Sequence, residues 1–253
     1  MLRVAALQTP HAATWEAARD HAARLVDAAR AQGVELAVLP EYFFAGMGAG
    51  LPEAAEVRRF LEEASHGLAV AANVREAGRN VGVVYVGGRS VLEQAKLHPM
   101  PREADEGVSG ADGFRAGDVL GHRTAMVVCA DILFPEVARM AQLQGARLLL
   151  NPVLSSYLPD DPSKEARECL FVARAYDAQA FVVKAGGFLP GRIVGRSLVA
   201  APWGLLAHYR AEDAEEVLVA DLDLDRLEAF RRGQARFPPR RPAAYRPLVE
   251  EPE

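Results

Sequence analysis

Short, nearly unbroken apolar runs alternate along this chain with longer segments whose apolar residues recur every three or four positions. That is the pattern of strands buried on both faces, separated by amphipathic helices. Arg3–Gln8 reads as a strand, Trp15–Ala31 as a helix with Ala18, Ala22, Leu25 and Val26 on one face, and Leu36–Leu39 as a strand ending at Pro40-Glu41. Such an opening predicts neighbouring parallel strands joined by a right-handed crossover. The pattern next predicts helices over Pro52–Glu63 and His66–Ala77, then strands over Val81–Gly87 and Val91–Leu97 that turn at Gly87-Gly88. A loop rich in Gly, Asp and Glu is expected from Pro101 to Asp118, followed by a strand over Arg123–Val128 that stops at Cys129. Phe134–Gln144 reads as a helix with Gly145 as its C-cap, Leu148–Leu150 as a strand, Ser163–Gln179 as a long helix and Phe181–Lys184 as a strand. Pro202-Trp203-Gly204 is the expected turn of a hairpin, Val217–Asp221 the closing strand and Leu224–Arg232 a last short helix. From Phe237 on, Pro and Arg dominate, which predicts an extended tail packed on the surface or on a partner subunit.

Composition narrows the class. A chain of 253 residues with 50% hydrophobic content and no Gly/Ser/Pro linker suits one α/β domain over residues 1–253. The net charge of -5, with acidic and basic residues interspersed, offers no footprint for nucleic acid or an anionic membrane, so neither is expected as a partner. The longest apolar stretch, Ala146–Leu154, is interrupted by Arg147 and too short to span a bilayer. Met1-Leu2-Arg3-Val4 runs straight into a strand without a signal-cleavage pattern, so the expected location is the cytoplasm. Two cysteines form no disulfide framework, and Cys169 falls in a helical pattern where a buried thiol is ordinary. The histidines lack metal-ligand spacing, and neither Gly186-Gly187 nor Gly46-Met47-Gly48 follows a phosphate-loop pattern. No metal or other cofactor is expected.

The chemistry lies at three places where an apolar run gives out: Pro40-Glu41-Tyr42-Phe43-Phe44, Ala95-Lys96-Leu97-His98-Pro99 and Val127-Val128-Cys129-Ala130-Asp131. Strand ends are where α/β proteins bind ligands. A carboxylate, an amine and a thiol brought together there make an acyl-transfer site: Cys129 as nucleophile, Glu41 as base, Lys96 as oxyanion stabiliser. A sharp turn into the helix at Phe134-Pro135-Glu136 would lower the thiol pKa and offer the Ala130 N–H to an oxyanion. Each residue also has a plainer reading. Cys129 can be a core thiol, Glu41 a solvated loop carboxylate and Lys96 a lysine snorkelling at a sheet edge. His98 reads as a structural hydrogen-bonding residue at the start of a loop rather than a partner of the thiol. Lysine is rare in this chain, which has only Lys96, Lys164 and Lys184, so a lysine in an apolar context is less generic than usual.

At these residues the sequence resembles the nitrilase superfamily of carbon–nitrogen hydrolases, whose members carry a Glu-Lys-Cys triad in such motifs. The resemblance runs over almost the whole chain, through Val4-Ala5-Ala6-Leu7-Gln8, Leu39-Pro40-Glu41, Lys96-Leu97-His98-Pro99, Cys129-Ala130-Asp131 with Phe134-Pro135-Glu136, Arg174-Ala175-Tyr176, Gly195-Arg196-Ser197 and Pro202-Trp203-Gly204. It implies an α-β-β-α sandwich that pairs into a longer sandwich in a homodimer or higher homo-oligomer. It also implies a second glutamate after the lysine that orients the triad. Glu103 is the closest match and Glu106 the alternative.

The implied activity is hydrolysis of a non-peptide carbon–nitrogen bond through a thioester on Cys129. The substrate would be a small amide or N-carbamoyl compound, or alternatively a nitrile. A catalytically silent relative acting as an interaction protein is the remaining reading, although no triad member is missing. Ala130 stands where relatives often carry Tyr or Trp, which widens the pocket or leaves it to be filled from another loop. The loop Leu154–Lys164, with Tyr157, Asp160 and Asp161, points to no named substrate.

Overall fold

A computed structural model describes residues 1–44, 51–156, 166–235, 239–248 and 250. The first half of the chain builds β1 (Leu2–Gln8), α1 (Trp15–Ala31), β2 (Leu36–Val38), α2 (Ala54–Ala64), β3 (Ala69–Glu76), β4 (Arg79–Val86), β5 (Arg89–Ala95) and a short α3 (Pro101–Asp105). Then follow β6 (Ala116–Val119), β7 (His122–Met126), a 3-10 turn over Cys129–Leu133, α4 (Pro135–Leu143), β8 (Leu148–Val153) and β9 (Ser155–Ser156). The described chain continues with α5 (Arg167–Ala178), β10 (Phe181–Gly186), β11 (Ile193–Val194), β12 (Leu198–Ala201), β13 (Gly204–His208), β14 (Glu216–Leu222) and α6 (Leu224–Gln234).

Two six-stranded sheets result, in the orders β14-β1-β2-β3-β4-β5 and β13-β12-β10-β8-β7-β6. Strand alternation explains the layers. In β1, Val4 and Ala6 face the second sheet, meeting Leu148, Leu150 and Val183, while Ala5 and Leu7 face Leu25, Val26 and Leu61 of the helices. In the second sheet, Leu149 and Val182 turn outward to Val137, Ala141 and Phe171 of α4 and α5. Helices, sheet, sheet and helices therefore stack as α-β-β-α. Both faces of the central strands are covered, which is why they read as continuous apolar runs.

The expected parallel opening is present, since β1 pairs with β2 and β2 with β3 in parallel. The hairpin at Gly87-Gly88 turns through positive φ at both glycines, of 55° and 80°. Three expectations are corrected. His66–Ala77 holds strand β3 rather than a helix, because Ala69, Ala71 and Val70, Ala72 fill opposite faces of the slot between β2 and β4. Alanine favours a helix locally, but the sheet position outweighs that preference. The Pro101–Asp118 loop contains α3 and edge strand β6. In the tail, Pro242–Leu248 forms an exposed 3-10 turn rather than extended chain. The start of the Ser163–Gln179 helix lies outside the described residues, whose helix begins at Arg167. No helix among the described residues is long and apolar enough to cross a membrane.

Candidate active site

Glu41 follows β2 directly. The turn after it puts Tyr42 at φ 52°, and the Tyr42 N–H donates to Asn73 Oδ1 at 2.7 Å. Phe43 and Phe44 anchor the turn by edge-to-face packing on each other and lie fully inside the outer core. The Glu41 carboxylate is thereby held 2% exposed at the end of the strand. Lys96 comes just past β5, on the same sheet, and is 1% exposed. Its ammonium donates to Glu41 Oε1 at 2.9 Å and to Glu103 Oε2 at 2.6 Å. The plainer readings of a solvated carboxylate and a snorkelling lysine are thus set aside, because neither head group reaches water.

Glu103, on α3, is the second glutamate beside Lys96. Glu106 instead lies exposed and bonds to Arg75 and Arg102. Four donors converge on the Glu103 carboxylate: Tyr42 Oη at 2.8 Å and Asn80 Nδ2 at 2.9 Å on one oxygen, Lys96 Nζ and the Met100 N–H on the other. A carboxyl proton would face one of these donors, so the group is ionised. Burial alone would raise its pKa, but the hydrogen bonds from Lys96 and Met100 hold it below the ordinary carboxylate range.

Two asparagines that the sequence reading missed complete the cluster. Asn80 Nδ2 bridges Glu41 Oε1 and Glu103 Oε1, each at 2.9 Å, and Asn73 Nδ2 donates to Asn80 Oδ1 at 2.8 Å. Both are fully buried on adjacent antiparallel strands. Polar residues inside otherwise apolar strands were the available signal.

Cys129 arrives from the other sheet. Gly82 makes the approach possible, because a Cβ there would lie 2.8 Å from the Met126 side chain and 2.9 Å from that of Val128. The backbone at Cys129 has φ 47°, a left-handed conformation that a non-glycine residue adopts at some cost, so the chain leaves the strand sharply. The thiol and the Glu41 carboxylate are close enough to perturb each other's ionisation. The thiol also lies 3.7 Å from Leu154 O, while the Leu154 N–H donates to Glu41 Oε2 at 3.1 Å. Asp131, 1% exposed, accepts the Leu97 and His98 N–H groups and His98 Nδ1 at 3.1, 2.8 and 2.9 Å. It ties the segment after Lys96 to the turn of Cys129. His98 is therefore in a structural hydrogen bond, stacked on Phe134 at 3.7 Å between ring centres.

The electrostatics correct one expectation. Cys129 opens a 3-10 turn, and the α-helix starts only at Pro135. Burial and then the Glu41 charge push the thiol pKa up, outweighing Lys96, so the resting group is a thiol rather than a preformed thiolate. Burial likewise raises Glu41, with Lys96 opposing and Glu103 adding to the rise. Burial would lower Lys96, but Glu41, Cys129 and Glu103 raise it, and it stays charged. A carboxylate of raised pKa beside a thiol is chemically able to accept a proton from it. Cys169 is exposed rather than buried, on α5.

Structures of known hydrolases share this fold. A carbon–nitrogen hydrolase from Helicobacter pylori G27 superposes with a TM-score of 0.86 at 22% identity, covering 99% of this chain and 98% of that one. An amidase from Nesterenkonia sp. AN1, solved after Michael addition of acrylamide at its active-site cysteine, gives 0.78 at 22% identity over 93% of this chain and 99% of that one. In sequence, the nitrilase of Pyrococcus abyssi is 29% identical over 223 residues, covering 80% of this chain and 82% of the relative. The N-carbamoylputrescine amidase of Oryza sativa subsp. japonica is 30% identical over 154 residues, 55% of this chain and 51% of that enzyme's length. The sequence pattern of the carbon-nitrogen hydrolase family matches residues 3–232, from β1 into α6 and through every residue of the cluster, and the chain belongs to that family within the nitrilase superfamily.

Proposed function

We propose that this carbon–nitrogen hydrolase cleaves small amides or N-carbamoyl compounds through a thioester on Cys129. The observation that carries the reading is the buried Glu41–Lys96–Glu103 cluster of one sheet meeting the Cys129 thiol of the other. Glu41 takes the thiol proton as sulfur attacks the carbonyl carbon. Lys96 and the Ala130 N–H hold the oxyanion. Glu41 then protonates the departing ammonia or amine, and a water that it activates releases the acid from the thioester. Glu103 and Asn80 keep Lys96 and Glu41 in register. The raised pKa of Glu41 supports the choice of base, because a more basic carboxylate is a better proton acceptor and returns a proton at neutral pH. A nitrile would be attacked by the same thiol to give a thioimidate, and the Pyrococcus abyssi relative keeps that alternative in the test.

The deciding experiment is a screen of small amides, N-carbamoyl amino acids and nitriles for ammonia release, run beside Cys129→Ala and Glu41→Gln. Turnover of amides or carbamoyl compounds that both variants abolish supports the proposal. Turnover of a nitrile but not of its matching amide overturns it in favour of a nitrilase. No ammonia from any class would favour a silent relative.

We further propose assembly as a homodimer through α4 and its surroundings. Leu133, Phe134 and Leu143 on that side, with Tyr176 of α5, are large apolar side chains left exposed.

A further inference from the structure

Lys184 has no part in the mechanism above, yet it is one of the least expected residues in the fold. It lies on β10, 5% exposed, beside Asn151 of β8 in parallel register. On both strands these positions point to the same side of the second sheet as Val182 and Leu149, under α5. The Lys184 ammonium donates to Arg196 O at 2.7 Å and to Gly195 O at 3.4 Å, and sits 5.3 Å from the centre of the Phe171 ring. These contacts are neutral, and no carboxylate forms an ion pair with it among the described residues. A buried cation without a counter-charge is costly.

Asn151, fully buried, stands between Lys184 and the thiol. Its amide nitrogen donates to Val127 O and, at 3.3 Å, to Cys129 O, while its Oδ1 has no hydrogen-bond partner among the described residues. Among the described residues, an ammonium bonded only to two carbonyls and lacking a carboxylate partner, and an acceptor without a donor, thus occupy paired positions on neighbouring strands. Buried polar groups are normally paired, and a pair left open beside a nucleophile is what a bound molecule would complete.

We propose that Lys184, with Asn151 beside it, forms a subsite for an anionic group of the substrate remote from the scissile bond, so that the preferred substrates are carboxylate-bearing amides or carbamoyl compounds. This deepens the function proposed above and rests on it for the identity of the scissile group. The carboxylate supplies the missing counter-charge to the ammonium, and Asn151 Oδ1 accepts an N–H of the substrate nearer the sulfur. The surrounding charges agree. Burial and then Arg196 push the Lys184 pKa down to about 7; Cys129 opposes the fall, Arg167 adds to it and Glu168 opposes it least. An arriving anion reverses that balance and draws a proton onto the amine.

The test uses the full chain carrying Cys129→Ala, which can bind but not turn over. Monoamides of three- to six-carbon dicarboxylic acids are compared by calorimetry with the diamides of the same acids. In the presence of Lys184, the best-fitting acid amide should bind at least about tenfold more tightly than its diamide, the size of one charge-assisted hydrogen bond. Adding Lys184→Met should remove that preference while leaving the diamide little changed. At pH 8, titrations in buffers of different ionisation heat should show uptake of up to about one proton per acid amide bound, and none in Lys184→Met. A preference absent with Lys184 present, or surviving Lys184→Met, overturns the subsite. Equal weakening of acid amide and diamide by Lys184→Met also overturns it, since that is the result of a structural role. Failure of the hydrolase proposal is seen separately, as absence of ammonia release by the unsubstituted protein.

Discussion

Replacing Glu103 by Gln should move the acidic limb of the pH–rate profile downward. Glu41 and Glu103 touch the same ammonium nitrogen at 2.9 and 2.6 Å. Their contacting oxygens are therefore within about 5.5 Å, and at an effective dielectric of about 20 two such charges repel by roughly 3 kcal/mol. The repulsion is one of the causes that raise Glu41, so removing it lets Glu41 ionise at lower pH. The substitution also leaves Lys96 with one carboxylate instead of two, in the same direction. The acid limb of kcat/KM, which reports the coupled cluster, should move to lower pH. At neutral pH the maximal rate should drop, because the base is weaker and Lys96 less firmly placed. Stability should fall as well. Four donors surround Glu103, so the new amide nitrogen must face two of them, at a cost of roughly 2–4 kcal/mol. A pH series of kcat/KM and a thermal melt check both effects. An acid limb that stays in place or moves up refutes the reasoning, whatever happens to the rate.

Four other outcomes are expected. Rapid quench with substrate should add the acyl fragment to Cys129, and mapping by mass spectrometry should find none of it on Cys169, although the exposed Cys169 will react with generic thiol reagents. Lys96→Met leaves two buried carboxylates without their cation and should destabilise the protein by about 3–5 kcal/mol in a denaturant titration; Lys96→Arg should retain more stability but lose most activity, because the guanidinium cannot occupy the same point. Asp131→Ala removes the acceptor of three hydrogen bonds linking the Lys96 segment to the Cys129 turn, so kcat should fall at least about tenfold, while a melt shows the fold retained. Light scattering should report twice the chain mass, and Leu143→Glu on the exposed side of α4 should yield monomers; a strictly monomeric starting protein would remove the proposed dimer.

Much of the architecture was legible because local pattern and tertiary environment agree. The apolar runs at β1, β4, β8 and β10 are continuous because the strands are covered on both faces. Where they disagree, the pattern misleads. The alanines of β3 favour a helix until the slot between β2 and β4 is available to them. The same applies to β6, which is four residues long with Gly117 and Asp118 at its centre and is a strand only because β7 lies beside it.

The amino-acid sequence by itself determined which reactive groups exist and that Glu41, Lys96 and Cys129 stand just past strand ends, because hydrophobic periodicity is local. The family resemblance added a second glutamate after Lys96, with Glu103 the closest match and Glu106 the alternative. Tertiary structure alone decided that α3 buries Glu103 and leaves Glu106 in solvent, that Asn73 and Asn80 lie beneath the carboxylates, and that Gly82 lets the second sheet close on the first. It also decided the charge states. A thiol expected to be activated by a helix end is instead held protonated by burial and a carboxylate, and a lysine on β10 has no carboxylate partner among the described residues. Desolvation and Coulomb energies depend on distances between segments far apart in the chain, and those distances exist only once the sheets have packed.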